Sequence, residues 1–208
     1  MFTGIIEHKG VIESLEIGRG GVTIHAPTLS SALAVSNSIA VNGCCLTIVA
    51  LREGRFSADL SQETLAKTSF GSKKGGLREG VRVNLEQPLV AGKEFGGHFV
   101  LGHVDTRGSV AELAKEGDGW RYGVEIPGDF VRLIIPKGSI TIDGISLTVA
   151  GFRGCVVGTS IIPYTYEYTN VSERQPGDAV NLEFDVLGKY VERYLEAREA
   201  NASLYPRK

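Results

Sequence analysis

The chain has 208 residues, 42% hydrophobic and 22% charged, with a formal net charge of −2. That is enough for one large domain or two small ones with real cores. The charge excludes a nucleic-acid binder that relies on a basic field. No apolar run approaches the roughly 18–20 residues of a membrane span, so no membrane partner is expected. The opening Met1-Phe2-Thr3-Gly4-Ile5-Ile6-Glu7 lacks the basic and long apolar stretches of a signal peptide. Three cysteines, two of them adjacent at Cys44 and Cys45, make no disulfide framework, and a cytosolic setting is expected.

Glycine is abundant (27, against 7 prolines) and punctuates short runs rich in Val, Ile, Leu, Thr and Phe. These runs predict strands at Val22–His25, Leu46–Ala50, Arg55–Leu60, Val81–Glu86, Phe99–Val104, Tyr122–Ile126, Leu147–Ala150, Cys155–Ile162 and Ala179–Phe184. Many short strands at even spacing suggest a barrel or a sandwich. Ser61-Gln62-Glu63 opens a short helix over Ser61–Ser69, and Gly128–Leu133 fits a single turn. The last helix is the clearest, with apolar residues at Leu187, Tyr190, Val191, Tyr194 and Leu195 on one stripe. After Ala200 the sequence frays. The clusters Gly18-Arg19-Gly20-Gly21 and Gly71-Ser72-Lys73-Lys74-Gly75-Gly76 fit neither the dinucleotide fingerprint nor the phosphate loop, and read as turns.

The chain repeats itself. Val41-Asn42-Gly43-Cys44-Cys45-Leu46-Thr47-Ile48 returns as Ile142-Asp143-Gly144-Ile145-Ser146-Leu147-Thr148-Val149, at an offset of 101. Gly4-Ile5-Ile6-Glu7 returns as Gly102-His103-Val104-Asp105 at 98, and Val83-Asn84-Leu85-Glu86 as Val180-Asn181-Leu182-Glu183 at 97. Thr64 and Thr68 match Thr165 and Thr169. Four blocks in one order imply two copies of a β domain of about 95 residues, joined near Gly96-Gly97, plus a terminal helix. Alternation along a strand puts Cys45 with Thr47 on one face, and Ser146 with Thr148 on the equivalent one. Thr is a good strand former, and Cys and Ser are small enough for a crowded core. The recurrence of this polar face in both copies nevertheless points to two related ligand sites.

These same blocks, with Gly96-Gly97-His98 and Lys137-Gly138-Ser139-Ile140, resemble riboflavin synthase of the alpha-chain type over essentially the whole chain. The resemblance implies an all-β fold: two tandem six-stranded Greek-key-like barrels over 1–97 and 98–186, and a C-terminal helix and tail over 187–208. It implies a transferase that moves a four-carbon unit between two molecules of 6,7-dimethyl-8-ribityllumazine, both bound in one active site. The products are riboflavin and 5-amino-6-(ribitylamino)uracil, with no cofactor or metal. It also implies a homotrimer held by the terminal helices, whose active site combines Cys45 and Thr47 of one subunit with His103, Ser146 and Thr148 of another. The alternative is a non-catalytic lumazine- or flavin-binding antenna protein on the same barrels. The intact Gly102-His103 and Asp143–Thr148 motifs favour the enzyme.

Duplication suits such chemistry, because the two substrates are identical but serve as donor and acceptor. The donor's C7 methyl must lose a proton, and the acceptor's C7 needs a hydroxyl, a thiol or a positioned water. His103 is the expected acid/base, since its first-copy counterpart is Ile5. His98 is expected to fix the interdomain turn, and His8 and His25 to lie on the surface. On one strand His98 and His103, five apart, would face opposite ways, so no metal site is expected. Ser146, with Thr148 beside it, is the candidate nucleophile or relay. Cys45, its counterpart, serves as nucleophile or positioner. Asp143, in place of Asn42, either tunes the neighbouring hydroxyl or simply makes the hairpin turn. Asp185 is a further acid/base candidate.

By resemblance, binding falls to Gly4, Ile5 and Ile6; Cys45, Leu46 and Thr47; Asp59, Leu60, Ser61, Gln62, Glu63 and Thr64. In the second copy it falls to Gly102, His103 and Val104; Lys137; Ser146, Leu147 and Thr148; and Ser160, Ile161, Ile162, Pro163, Tyr164 and Thr165. Strand backbone would pair with the pyrimidinedione edge and polar side chains would hold the ribityl hydroxyls, with Leu and Ile covering the ring faces. Tyr164, Tyr166, Leu101 and the Thr106-Arg107 step depart from the usual pattern.

Overall fold

The computed structural model describes residues 1–16, 20–29 and 33–204, with side chains to residue 200. Gly18 and Arg19 of the first glycine cluster, and the end of the tail at 205–208, lie outside the described residues. The first barrel is built from β1 (His8–Glu16), β2 (Gly21–His25), β3 (Ser38–Val41), β4 (Cys44–Arg52), β5 (Arg55–Asp59) and β6 (Arg82–Glu86). The second contains β7 (Thr106–Glu116), β8 (Gly119–Glu125), β9 (Ser139–Ile142), β10 (Ile145–Arg153), β11 (Val156–Ile161) and β12 (Ala179–Phe184). Both close in the same antiparallel order, β1-β2-β5-β4-β3-β6 and its equivalent, which makes them Greek-key-like.

Alternation does the sorting. Ile12, Val22, Ile24, Ile39, Val41, Leu46, Ile48, Phe56, Val83 and Leu85 fill the first barrel, and Val110, Tyr122, Val124, Ile140, Ile142, Leu147, Val149, Val157 and Leu182 the second. Each barrel has one short helix, α1 (Gln62–Lys67) or α2 (Pro163–Tyr168), followed by a 3-10 turn. The repeated threonines hold these turns. Thr68 Oγ1 donates to Thr64 O and accepts from Phe70 N, and Thr169 does the same with Thr165 and Val171. The Gly128–Leu133 turn is a 3-10 helix, as expected.

Two sequence expectations fail. Phe99–Val104 is not a strand; only Val100 pairs, through an isolated bridge to Phe2. Gly102 turns the chain there at φ +79°, and three successive N–H groups are taken by a side chain instead of a neighbouring strand. Conversely, β1, β3, β7 and β9 carry too little apolar alternation to be seen. β7, with Ala-Glu-Leu-Ala-Lys-Glu, even has helix-forming composition. Its pairing with both β8 and β12 overrides that local preference.

The barrels meet through a polar seam. At its centre the Asn42-Gly43 and Asp143-Gly144 turns touch, with Asn42 and Asp143 at φ 43° and 48°. The Asn84 amide donates to Asp143 O and Asn170 Oδ1, and its carbonyl accepts from Asn170 N; Asn181 in turn donates to Asn42 O and accepts from Ser69 N. The repeated Asn of each Val-Asn-Leu-Glu block thus binds the opposite barrel's turn.

The last helix, α3 (Val186–Leu204), is anchored at its start. Asp185 Oδ1 accepts from Leu187 N, and Lys189 pairs with Asp105 at 2.7 Å. Its apolar stripe is left uncovered by the second barrel: Tyr190 is 72% exposed and Tyr194 67%. No helix among the described residues is long and apolar enough to cross a membrane.

Candidate functional site

The segments leading into the barrels cross over. Residues 2–6 precede β1, yet Gly4 O accepts from Ser146 N at 2.8 Å and Ile6 packs on the second barrel's core. Residues 100–104 precede β7, yet Gly102 O accepts from Cys45 N at 2.8 Å and Val104 packs on the first barrel's core. The two straps pair with each other through Phe2 and Val100. Each strap turns at a glycine with positive φ, +77° at Gly4 and +79° at Gly102. A Cβ at Gly4 would come within 2.6 Å of Ser146 Cβ, and one at Gly102 within 2.7 Å of Cys45 Cβ. Only glycine satisfies both demands.

The first site is a cavity of about 370 Å³ over the Cys45 end of β4, inside the usual range of small-molecule pockets. Cys45, Ser61, Glu63, Thr64 and Lys67 line it from the first barrel, and Gly102, His103 and Val104 from the strap. Cys45 is half-buried. Burial pushes the neighbouring Cys44 thiol up to about 12, which removes it as a nucleophile. Thr47 is exposed on the Cys45 face, whereas Leu46 points into the core, as does Leu60. Ser61 caps α1 through Thr64 N at 3.0 Å and bonds Thr64 Oγ1 at 2.9 Å; Asp59 and Gln62 are exposed beside it.

At the equivalent place on β10 the second barrel presents Ser146, cross-strand from Thr141 on β9. His98 bridges this pair, with Nδ1 2.7 Å from Ser146 Oγ and Nε2 3.1 Å from Thr141 Oγ1. Burial holds the imidazole below the ordinary histidine value, partly offset by the negative charge of Asp185. Gly4 covers this site. Thr148 is exposed on the same face and Leu147 faces the core. Ile161 is also core, while Ser160, Ile162, Pro163 and Tyr164 are exposed at the end of β11 and the start of α2, and Thr165 is half-buried. Lys137 sits in a turn at φ 68°, its N–H given to Val149 O. Ile5 is exposed.

Two expectations are corrected by this geometry. Within one chain His103 lies away from Ser146; it lines the Cys45 pocket of the opposite barrel. His98, expected at the interdomain turn, is the imidazole on Ser146, and neither histidine lies on a strand. Asp143 makes the hairpin turn, the second of its two expected readings. It is buried in the seam, Oδ1 accepting from Asn181 N at 2.9 Å and Oδ2 from Arg174 at 2.5 Å, with Arg174's charge opposing the upward push of burial. Sequence reasoning missed His98 and Thr141 because strap exchange was not part of it. Aligning Gly4 with Gly102 leaves His98 with no first-copy partner, which was the available signal. No group of three His, Cys, Asp or Glu among the described residues is arranged to hold a metal ion.

Residues 3–88 and 101–185 each match the lumazine binding domain family. The chain is 42% identical to riboflavin synthase of Actinobacillus pleuropneumoniae over 205 residues, covering 97% of this chain and 93% of that one. It is 38% identical to riboflavin synthase of Bacillus subtilis (97% and 93% covered) and 40% to that of Mycobacterium tuberculosis (95% and 99%). Among solved structures, LumP complexed with riboflavin superposes with a TM-score of 0.81 over 88% of this chain and 99% of that one, at 24% identity, a likeness of fold. With both halves matched and relatives this similar along their whole length, the chain belongs to the riboflavin synthase family of duplicated lumazine-binding proteins.

Proposed function

We propose that the protein is a transferase that converts two molecules of 6,7-dimethyl-8-ribityllumazine into riboflavin and 5-amino-6-(ribitylamino)uracil. The observation that carries this reading is that two equivalent sites hold different chemistry. One has a serine hydroxyl on a buried imidazole, and the other a half-buried thiol with His103 on the crossing strap. A pair of identical substrates with unlike roles requires that asymmetry, and a binding-only protein does not.

In the second site His98 Nδ1 faces Ser146 Oγ and Nε2 faces Thr141 Oγ1; the tautomer protonated at Nε2 would donate to Thr141 and leave Nδ1 to accept the Ser146 proton. Ser146 thereby relays a proton from the donor's C7 methyl to the imidazole, leaving the electron pair on the exocyclic carbon. That carbon adds to an electrophilic C=N carbon of the acceptor ring held over Cys45, and the π-bond pair moves to the ring nitrogen, which takes up a proton. Cys45 positions or activates this ring, and His103 supplies the acid/base group. Asp185 acts on His98 through its charge. In this reading, strand backbone beside Cys45 and Ser146 pairs with the pyrimidinedione edges. In the same reading, Thr47, Thr148 and the residues opening α1 and α2 hold the ribityl chains.

We further propose that 1–97 and 98–186 act as two binding units and that 187–208 is the assembly segment of a homotrimer. The exposed stripe of α3 supports this, since Leu187, Tyr190, Val191, Tyr194 and Leu195 are each about half exposed or more. A neighbouring subunit would bring its second-barrel site against this chain's Cys45 pocket. Mixing the purified protein with the lumazine and following riboflavin absorbance tests the function. Binding without conversion would favour the antenna alternative.

A further inference from the structure

The repeated Val-Asn-Leu-Glu blocks end on acids that neither the seam nor the proposed chemistry uses. Glu86 closes β6 and is 4% exposed; Glu183 lies on β12 and is 3% exposed. Among the described residues neither makes an ion pair. A buried carboxylate without a cation is costly unless its oxygens are filled by donors. Here the donors are strap peptides. Glu183 Oε1 accepts from Leu101 N at 2.6 Å, and Oε2 from Gly102 N at 2.9 Å and His103 N at 3.1 Å. Glu86 Oε1 accepts from Thr3 N at 2.7 Å and Thr3 Oγ1 at 2.9 Å, and Oε2 from Gly4 N at 3.0 Å.

Consecutive N–H groups around a positive-φ glycine form an anion nest, and here the anion belongs to the protein. The same glycines hand their carbonyls to the other barrel, Gly102 O to Cys45 N and Gly4 O to Ser146 N. Each carboxylate is therefore one peptide removed from the reactive residue of the opposite barrel. We infer that Glu183 and Glu86 are crosswise positioning residues: Glu183, on the second barrel, sets the strap over the Cys45 pocket, and Glu86, on the first, sets the strap over Ser146. A glutamine at either place keeps the size but can accept on only one oxygen, so part of the nest is left unfilled.

For catalysis the inference rests on the proposed function, so its test includes a readout independent of turnover. In the full-length protein, the rate of Cys45 alkylation by iodoacetamide, resolved from Cys44 by fragment mass spectrometry, reports how well the strap covers the first site. Buried Cys44 serves as the folding control. At about pH 8, where Glu183 is ionised, Glu183→Gln is expected to raise Cys45 alkylation several-fold with Cys44 still protected, and to lower kcat by about tenfold, the scale of a misplaced group. Glu86→Gln is expected to lower kcat similarly while leaving Cys45 alkylation unchanged. If Glu183→Gln exposes Cys44, Glu183→Asp, which withdraws the carboxylate by one methylene, is read by the same criteria. Unchanged Cys45 reactivity in the folded Glu183 variant, or equal acceleration by both variants, overturns the inference. If the wild-type protein converts no lumazine, the functional reading fails while the alkylation pattern still decides the positioning roles.

Discussion

Ser146 Oγ lies 2.7 Å from Nδ1 of His98, a residue 48 positions earlier on the strap between the barrels. In the proposed reading the contact makes Ser146 the proton relay of the second site, and among the described residues Cys45 has no such imidazole contact. His98→Ala and Ser146→Ala are each expected to lower kcat by roughly 10² or more. Because the two act as one unit, the double variant should lose little beyond either single one. Steady-state turnover of the four proteins of this cycle checks the coupling. Multiplicative losses would mean that the pair does not act together.

Burial lowers the His98 value and the Asp185 charge partly restores it. The neutral, proton-accepting imidazole therefore persists below the usual histidine range near 6.5. The acid limb of kcat/KM is expected below that value. Asp185→Asn removes the favourable charge and is expected to move the limb to lower pH still, in a pH–rate profile of both proteins. A shift upward would contradict the assigned sign.

Burial pushes the Glu183 carboxyl up to about 7, with Lys189 lowering it and Asp105 raising it, while Cys44 lies in the same field. A group raised on folding binds more protons in the folded state, so its stability contribution is present at low pH and lost as pH rises to about 7. His98, whose value is lowered, acts in the opposite sense. The difference between wild type and Glu183→Gln isolates the glutamate. From pH 5 to 8 the wild type should lose stability relative to the variant, by a few kcal/mol in denaturant titrations. A pH-independent difference would contradict the raised value.

Asp143 and Arg174 form a buried pair, 2% and 6% exposed at their side chains. Asp143→Asn restores the first-copy residue but leaves a buried guanidinium uncompensated, at a cost of about 3–5 kcal/mol. Adding Arg174→Met should recover much of that loss. Chemical denaturation of the two variants checks both expectations. A neutral Asp143→Asn would show that the pair does not hold the seam.

Much of this architecture was legible because the chain is written twice. The turns Asn42-Gly43 and Asp143-Gly144 carry positive φ at Asn and Asp, as their sequences suggest, and the strands after them bury every second residue. The polar faces of Cys45 and Ser146 followed from that alternation. The straps were not legible. Phe99–Val104 has strand composition, but its N–H groups go to Glu183, a partner 80 or more residues away that no local pattern encodes. Once a strap crosses to the other barrel, every site residue it carries changes site. His98 therefore sits where His103 was expected and His103 lies in the Cys45 pocket, while Cys45 and Ser146 kept their places.

The α3 stripe makes a prediction about assembly. Deleting residues from Leu187 onward should leave folded protein that still binds riboflavin, with sedimentation falling from about three subunits to one and turnover strongly reduced. A fully active monomer would contradict a site shared between subunits.

The most direct measurement is the product balance of the wild-type protein supplied with 6,7-dimethyl-8-ribityllumazine alone, by chromatography of the completed reaction. The expected result is one riboflavin and one 5-amino-6-(ribitylamino)uracil for every two lumazines consumed, formed at a rate roughly 10²-fold lower when Ser146 and His98 are both replaced by alanine. Tight lumazine binding with no riboflavin formed would contradict it.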